Sequence, residues 1–110
     1  MNKKKEELIL SNTIPWTDSS MQGSRIKSLW LDETEVFVAM MESGTAIPLH
    51  DHPGREFTYI LEGEMMVDDT LLTAGDFLTA GPGEIHRINI VKPTTCFIIT
   101  EKSIEFIQEN

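Results

Sequence analysis

Short apolar and β-branched runs alternate with breaks rich in Gly, Pro and Asp along this chain, and little of it carries the wider period of a helix. The runs predict strands near Leu8–Leu10, Arg25–Leu31, Val36–Glu42, Glu56–Leu61, Glu64–Val67, Asp76–Ala80, Arg87–Val91, Thr95–Thr100 and Ile104–Ile107. His50 and His52 fall in a further short strand or strand end. Many short strands at this spacing indicate a sandwich or a barrel. Glu62-Gly63, between two apolar runs, reads as a tight hairpin with Gly63 supplying a positive φ. Ala74-Gly75-Asp76 and Gly81-Pro82-Gly83 read as further turns. In each of the pairs Met40-Met41 and Met65-Met66, alternation sends one side chain to the core and the other outward.

Composition narrows the picture. The 110 residues predict one domain over 1–110, its core spanning about 25–100 behind an N-terminal extension over 1–24. Hydrophobic residues at 40% and charged residues at 25% are an ordinary globular balance. The start, Met1-Asn2-Lys3-Lys4-Lys5-Glu6-Glu7, lacks the apolar stretch of a secretory signal. No run approaches the roughly 20 apolar residues that span a bilayer. A formal net charge of −9 argues against nucleic acid and anionic membrane as partners, because phosphate binding needs clustered Lys and Arg. The single Cys96 has no internal partner and sits in an apolar run, so it is expected to be buried and inert, in a cytoplasmic protein.

Chemistry concentrates at one place. All three histidines belong to His-x-His-x-x-x-Glu (His50, His52, Glu56) and to His86 on a later apolar run. Imidazole is the commonest protein ligand for a divalent metal near neutral pH. Residues i and i+2 of a strand share a face, so His50 and His52 can reach one ion together. Pro53 and Gly54 then break the strand, and a bend there can return Glu56 to the same ion. Three nitrogens and one carboxylate oxygen suit one divalent first-row transition ion, with Fe, Mn, Ni and Zn as the candidates.

These residues resemble the motifs of the cupin superfamily. The spacing Gly44, His50, His52, Glu56, Gly63 fits the first cupin motif throughout. Gly75, Gly83 and His86 fit the second, with two departures: Gly81 stands where proline is expected, and Ile90 where asparagine is expected. The resemblance covers roughly Arg25 to Thr100. It implies an all-β double-stranded β-helix, the cupin jelly-roll barrel, with His50, His52, Glu56 and His86 binding a metal inside. Ile14-Pro15-Trp16, Gly23 and Lys27-Ser28-Leu29 are also similar to the cupin domain of ChrR-type zinc anti-sigma factors. The helical, cysteine-containing sigma-binding domain of those proteins has no counterpart in these residues, so sigma-factor regulation is not carried over.

Four protein ligands in an octahedral shell leave two open positions, the mark of a catalytic rather than a closed structural site. A redox ion there supports dioxygenase chemistry on a small organic molecule; a Lewis-acid ion supports isomerisation or decarboxylation. A non-catalytic sensor or binding module for a small molecule is the other class, and a second domain would have favoured it. If Glu56 faces inward, so do Thr58 and Ile60; if His86 does, so do Ile88 and Ile90, whereas Arg55 and Arg87 point out. The four inward residues are candidate pocket lining, with plain core the default for the three isoleucines. A pocket so poor in cations argues against a phosphorylated or multiply anionic ligand. Lys27, if turned inward, could anchor a carboxylate, although a solvated lysine is its default. Tyr59 and Glu84 are candidate acid–base groups with surface or packing roles as their default. Leu8-Ile9-Leu10 reads as an edge strand, pairing across a two-fold homodimer or covering its own barrel.

Overall fold

The computed structural model describes residues 6–101 and 104–108. After a short 3₁₀ turn at Ser11–Thr13 come β1 (Thr17–Asp18), β2 (Ser24–Leu31), β3 (Glu35–Met41), β4 (Ala46–Asp51), β5 (Glu56–Val67), β6 (Thr70–Thr73), β7 (Phe77–Ala80), β8 (His86–Thr100) and β9 (Glu105–Phe106). Every pairing is antiparallel. The chain is the all-β barrel that the strand pattern and the motif spacing predict.

Two long strands organise it. β8 pairs with β5 along nearly its whole length. On its other side, β8 pairs with β4 through His86 to Asn89 and with β3 from Thr94 to Thr100. β5 does the same, meeting β7 through Glu56 to Tyr59 and β6 through Glu64 to Val67. Both strands bend where their partners change, and the sheet curls into a barrel. β8 passes Pro93 at that bend, and the ladder there skips from Lys92 to Thr94. Proline has no N–H to donate, so the bend is where a strand tolerates it.

Gly63 corrects the hairpin reading. Its φ is +103°, as a turn residue's would be, but β5 continues through it with register shifts on either side. A Cβ at this position would strike the Pro93 carbonyl and the Thr94 side chain and backbone. Gly63 is a bulge where two bent strands press together, which only glycine permits. The tight hairpin lies downstream instead, at Asp68-Asp69 between paired Val67 and Thr70. Asp68 takes φ +50° and its carboxylate accepts from the Arg87 amide, a conformation and a bond that suit Asp.

The core is Ala39, Met41, Ile60, Met65, Ile88, Ile90, Cys96 and Ile98. One methionine of each pair, Met41 and Met65, is buried, as alternation requires. Cys96 is fully buried, and burial pushes its thiol up to about 12, so it stays protonated and inert. Leu8–Leu10 does not form a strand: all three residues are exposed and the segment has no ladder partner among the described residues. The chain's own barrel therefore does not take it up as an edge strand. No helix among the described residues is long and apolar enough to cross a membrane.

Candidate metal centre

β4 ends at Asp51, and its pleat turns His50 inward. His52 follows directly, and His86 opens β8 opposite His50 in register. The three side chains are buried, and each offers a donor atom within 4.8 Å of the others. Ring centroids stand 4.9, 4.6 and 4.7 Å apart with the rings steeply inclined to one another, so the imidazoles converge edge-on instead of stacking. Glu56, the first residue of β5, brings Oε2 to 3.2 Å from His52 Nε2.

Hydrogen bonds decide which nitrogen of two rings faces the centre. His50 Nδ1 lies 2.8 Å from the Pro48 carbonyl, and His52 Nδ1 lies 3.0 Å from the Glu84 carbonyl. A carbonyl only accepts, so the Nδ1 atoms carry the protons and each Nε2 presents a lone pair. His52 Nε2, Glu56 Oε2 and His86 Nε2 are buried with no hydrogen-bond partner. Buried polar atoms are almost always satisfied, and a cation between these three would satisfy them together. Burial also holds His50 below the ordinary imidazole range and takes His86 down to about 4, with the neighbouring imidazoles adding to the effect at His86. Neutral imidazoles are the form that binds a metal. These residues fit a divalent ion.

The supporting residues form a clip that the motif reading missed. Asp51 points away from His50, and its Oδ1 accepts from the amides of His52 at 2.7 Å and Gly83 at 2.9 Å. Those two amides hold its carboxyl below the usual carboxylate range. The Gly81–Glu84 turn, closed by Glu84 N–H donating to the Gly81 carbonyl, is thereby tied to the strand that carries the histidines. Arg55 lies across Gly81 and reaches Thr79 Oγ1 and Glu84 Oε1. A Cβ at Gly81 would press on that guanidinium, the mobile end of a partly exposed side chain. The signal for Asp51 was its place between two histidines of one strand, but only the fold shows what lies on its side.

Beside the histidines the barrel encloses a cavity of about 460 Å³. His50, Glu56, Thr58 and Ile88 line it near the cluster; Ile26, Phe37, Ile47 and Ile98 give it an apolar wall. Ile60 and Ile90 share the inward parity and pack in the same core cluster as Ile88 and Ile98. Glu35 also lines the cavity, one residue before the strand predicted at Val36–Glu42. Lys27 does not enter it: its Nζ donates to the Ser11 carbonyl and sits over the Trp16 ring, fastening the N-terminal segment to β2. Tyr59 lies on the outer face, and Glu84 contributes its backbone carbonyl while its side chain meets Arg55 outside.

The profile of the ChrR cupin-like domain matches residues 4–104. The chain belongs to this cupin family. Solved structures agree on the barrel. A protein with a cupin-like fold from Ralstonia eutropha superposes with a TM-score of 0.85 at 22% identity, covering 98% of this chain and 75% of that one. A putative acetylacetone dioxygenase from Methylibium petroleiphilum gives 0.85 at 16% identity, with coverages of 98% and 85%. The anti-sigma ChrR complex with SigE from Rhodobacter sphaeroides gives 0.72 at 24% identity, covering 81% of this chain and 50% of that one. At these identities the likeness establishes the cupin fold. Comparison with the curated proteins finds no significant match.

Proposed function

We propose that this cupin is a metal-dependent enzyme, a dioxygenase acting on a small organic molecule. His50, His52 and His86, with Glu56, hold one divalent ion drawn from Fe, Mn, Ni or Zn. The observation that carries the reading is that His50 and Glu56 of the ligand cluster line a half-open, mainly apolar cavity. Its volume of about 460 Å³ lies in the range of small-molecule sites. A bound redox ion would supply the open coordination positions and electron transfer that this chemistry needs. The apolar wall would exclude water and orient the substrate. Glu56, whose Oε1 accepts from Thr58 Oγ1 at 3.0 Å, is held with Oε2 turned to the cluster. The fold it shares with the acetylacetone dioxygenases supports this reading. A free, buried cysteine suits a cytoplasmic setting.

The test is oxygen uptake by protein loaded with Fe(II) without air, offered diketones, thiols and hydroxyphenols. Uptake with at least one of these three classes is the expected result. Glu56→Gln keeps the shape and removes the charge; at an effective dielectric of ~20, unit charges ~4 Å apart interact by about 4 kcal/mol. That variant should keep some metal and lose most turnover, and undiminished turnover would show the charge to be dispensable. The family relation to ChrR favours a second reading, a small-molecule sensor. Tight reversible binding without turnover on any metal would establish it.

We further infer a homodimer. Leu8 and Leu10 are 79% and 71% exposed beside a barrel whose outer sheet face is also apolar. Val38, Phe97, Tyr59 and Phe77 form one row across that face by register. Exposed apolar faces of this kind mark association sites. Light scattering should show a dimer for the full chain and a monomer for a chain beginning at Asn12. A dimer unchanged by the truncation would rule the segment out as the joint.

A further inference from the structure

The cavity has an uneven charge that bears on its ligand. Among the described residues no lysine or arginine lines it, whereas Asp18, Glu35 and Glu56 do. Asp18 sits at the mouth, 3.7 Å from Arg25 outside. Glu35 and Glu56 belong to the interior. The register places Glu35 beside Thr100 and Thr100 beside Glu56, three residues in one row across β3, β8 and β5. Neighbouring strands lie about 4.8 Å apart, so the two glutamate Cα atoms stand roughly 10 Å apart. Alternation turns all three inward, as Phe37 and Ala39 on β3 and Ile98 on β8 also turn. The row borders the histidine cluster, where His52 Nε2 and His86 Nε2 are buried and unpartnered. One end of the cavity is thus carboxylate-lined beside the unpartnered nitrogens, most of the remaining wall is hydrocarbon, and Asp18, Ser19, Ser20 and Ser24 add a second polar stretch.

We propose that the cavity selects a non-anionic small molecule with an apolar body and a hydrogen-bond-donating head, hydroxyl or ammonium, and that Glu35 is the residue that sets this preference. The proposal rests on reading this cavity as the ligand site of the metal centre. A carboxylate opposite a carboxylate in a partly buried site is repelled, and no cation among the described wall residues offsets it. With Glu56 beside the ion, a second carboxylate brings the local charge of a divalent site to neutrality, so nothing there rewards a third anion. A donor head meets an acceptor at Glu35 while its body packs on Phe37, Ile47 and Ile98.

Benzylamine, benzyl alcohol and benzoate, matched in shape, test this by calorimetry on zinc-loaded protein, with zinc content measured on the same samples. The amine and the alcohol should bind about tenfold or more tighter than benzoate. Glu35→Gln should bring the amine-to-benzoate ratio toward unity, and Glu35→Asp, which keeps the charge, should preserve it. Melting curves of both variants show that the barrel is intact. Benzoate binding as tightly as the amine to the wild type, an unchanged ratio in Glu35→Gln, or no binding of any of the three overturns the proposal. One zinc per chain with benzoate preferred keeps the metal reading and removes this one. Absent zinc with the amine still preferred does the reverse.

Discussion

Removing the metal is expected to lower the melting temperature by roughly 15–30 °C. A ligand that binds only the folded chain adds RT ln(1 + [L]/Kd), about 4 kcal/mol at a thousandfold excess over Kd. In a domain near this size each kcal/mol moves the midpoint by about 4–8 °C. The effect has a structural source, because His52 Nε2, Glu56 Oε2 and His86 Nε2 have no other partner in the folded state. Without an ion, those acceptors are desolvated for nothing. Purified protein should carry close to one divalent ion per chain, and EDTA should shift the melting curve. His86→Ala removes one of the three converging imidazoles and should lose both the ion and the shift. The packing lost with the ring persists in EDTA, whereas the metal contribution vanishes there, so the EDTA response separates the two. Full occupancy in His86→Ala would sink the assignment of His86 as a ligand.

Gly63→Ala is expected to cost about 3 kcal/mol or more, an exceptional loss for one methyl group. Two effects add. The backbone at φ +103° is one that residues with a Cβ rarely adopt, at a cost of about 1–3 kcal/mol. The new methyl also meets Pro93 and Thr94, partly as backbone that cannot rotate away, and such overpacking costs typically about 1–3 kcal/mol. Gly75→Ala is the control, since Gly75 has φ +91° but open space where its Cβ would stand. It should show the conformational cost alone. Urea midpoints of the two variants give the comparison. Equal losses at both would mean that the packing of β5 on β8 at Gly63 is not the constraint described.

Parts of this molecule were legible before folding because they depend on local rules. Alternation required one methionine of each pair to be buried, since parity in a strand is a property of neighbouring residues, and the fold made these Met41 and Met65. The same rule placed His50 inward, and the run of apolar residues around Cys96 foretold its burial. It failed where a strand continues past a residue that looks like a terminator. Glu62-Gly63 and Lys92-Pro93 have the chemistry of turns, yet β5 and β8 run through both. Ladder bonds to two successive partners outweigh a local preference there.

The sequence by itself determined the strand-rich character of the chain, which side chains share a face within a strand and the residue types able to hold a metal. Each of these follows from spacing along the chain, which the sequence states directly. Tertiary structure alone decided that Asp51 ties its strand to the Gly81–Glu84 turn, that Glu84 contributes a carbonyl to His52, and that Lys27 holds the N-terminal segment. It also brought Glu35 into one row with Thr100 and Glu56, residues from three separate strands. The physical reason is register. Which residue of one strand faces which of another is set by turns, bulges and the packing of the whole sheet. A slip of one residue in any of them would turn those side chains to the other face.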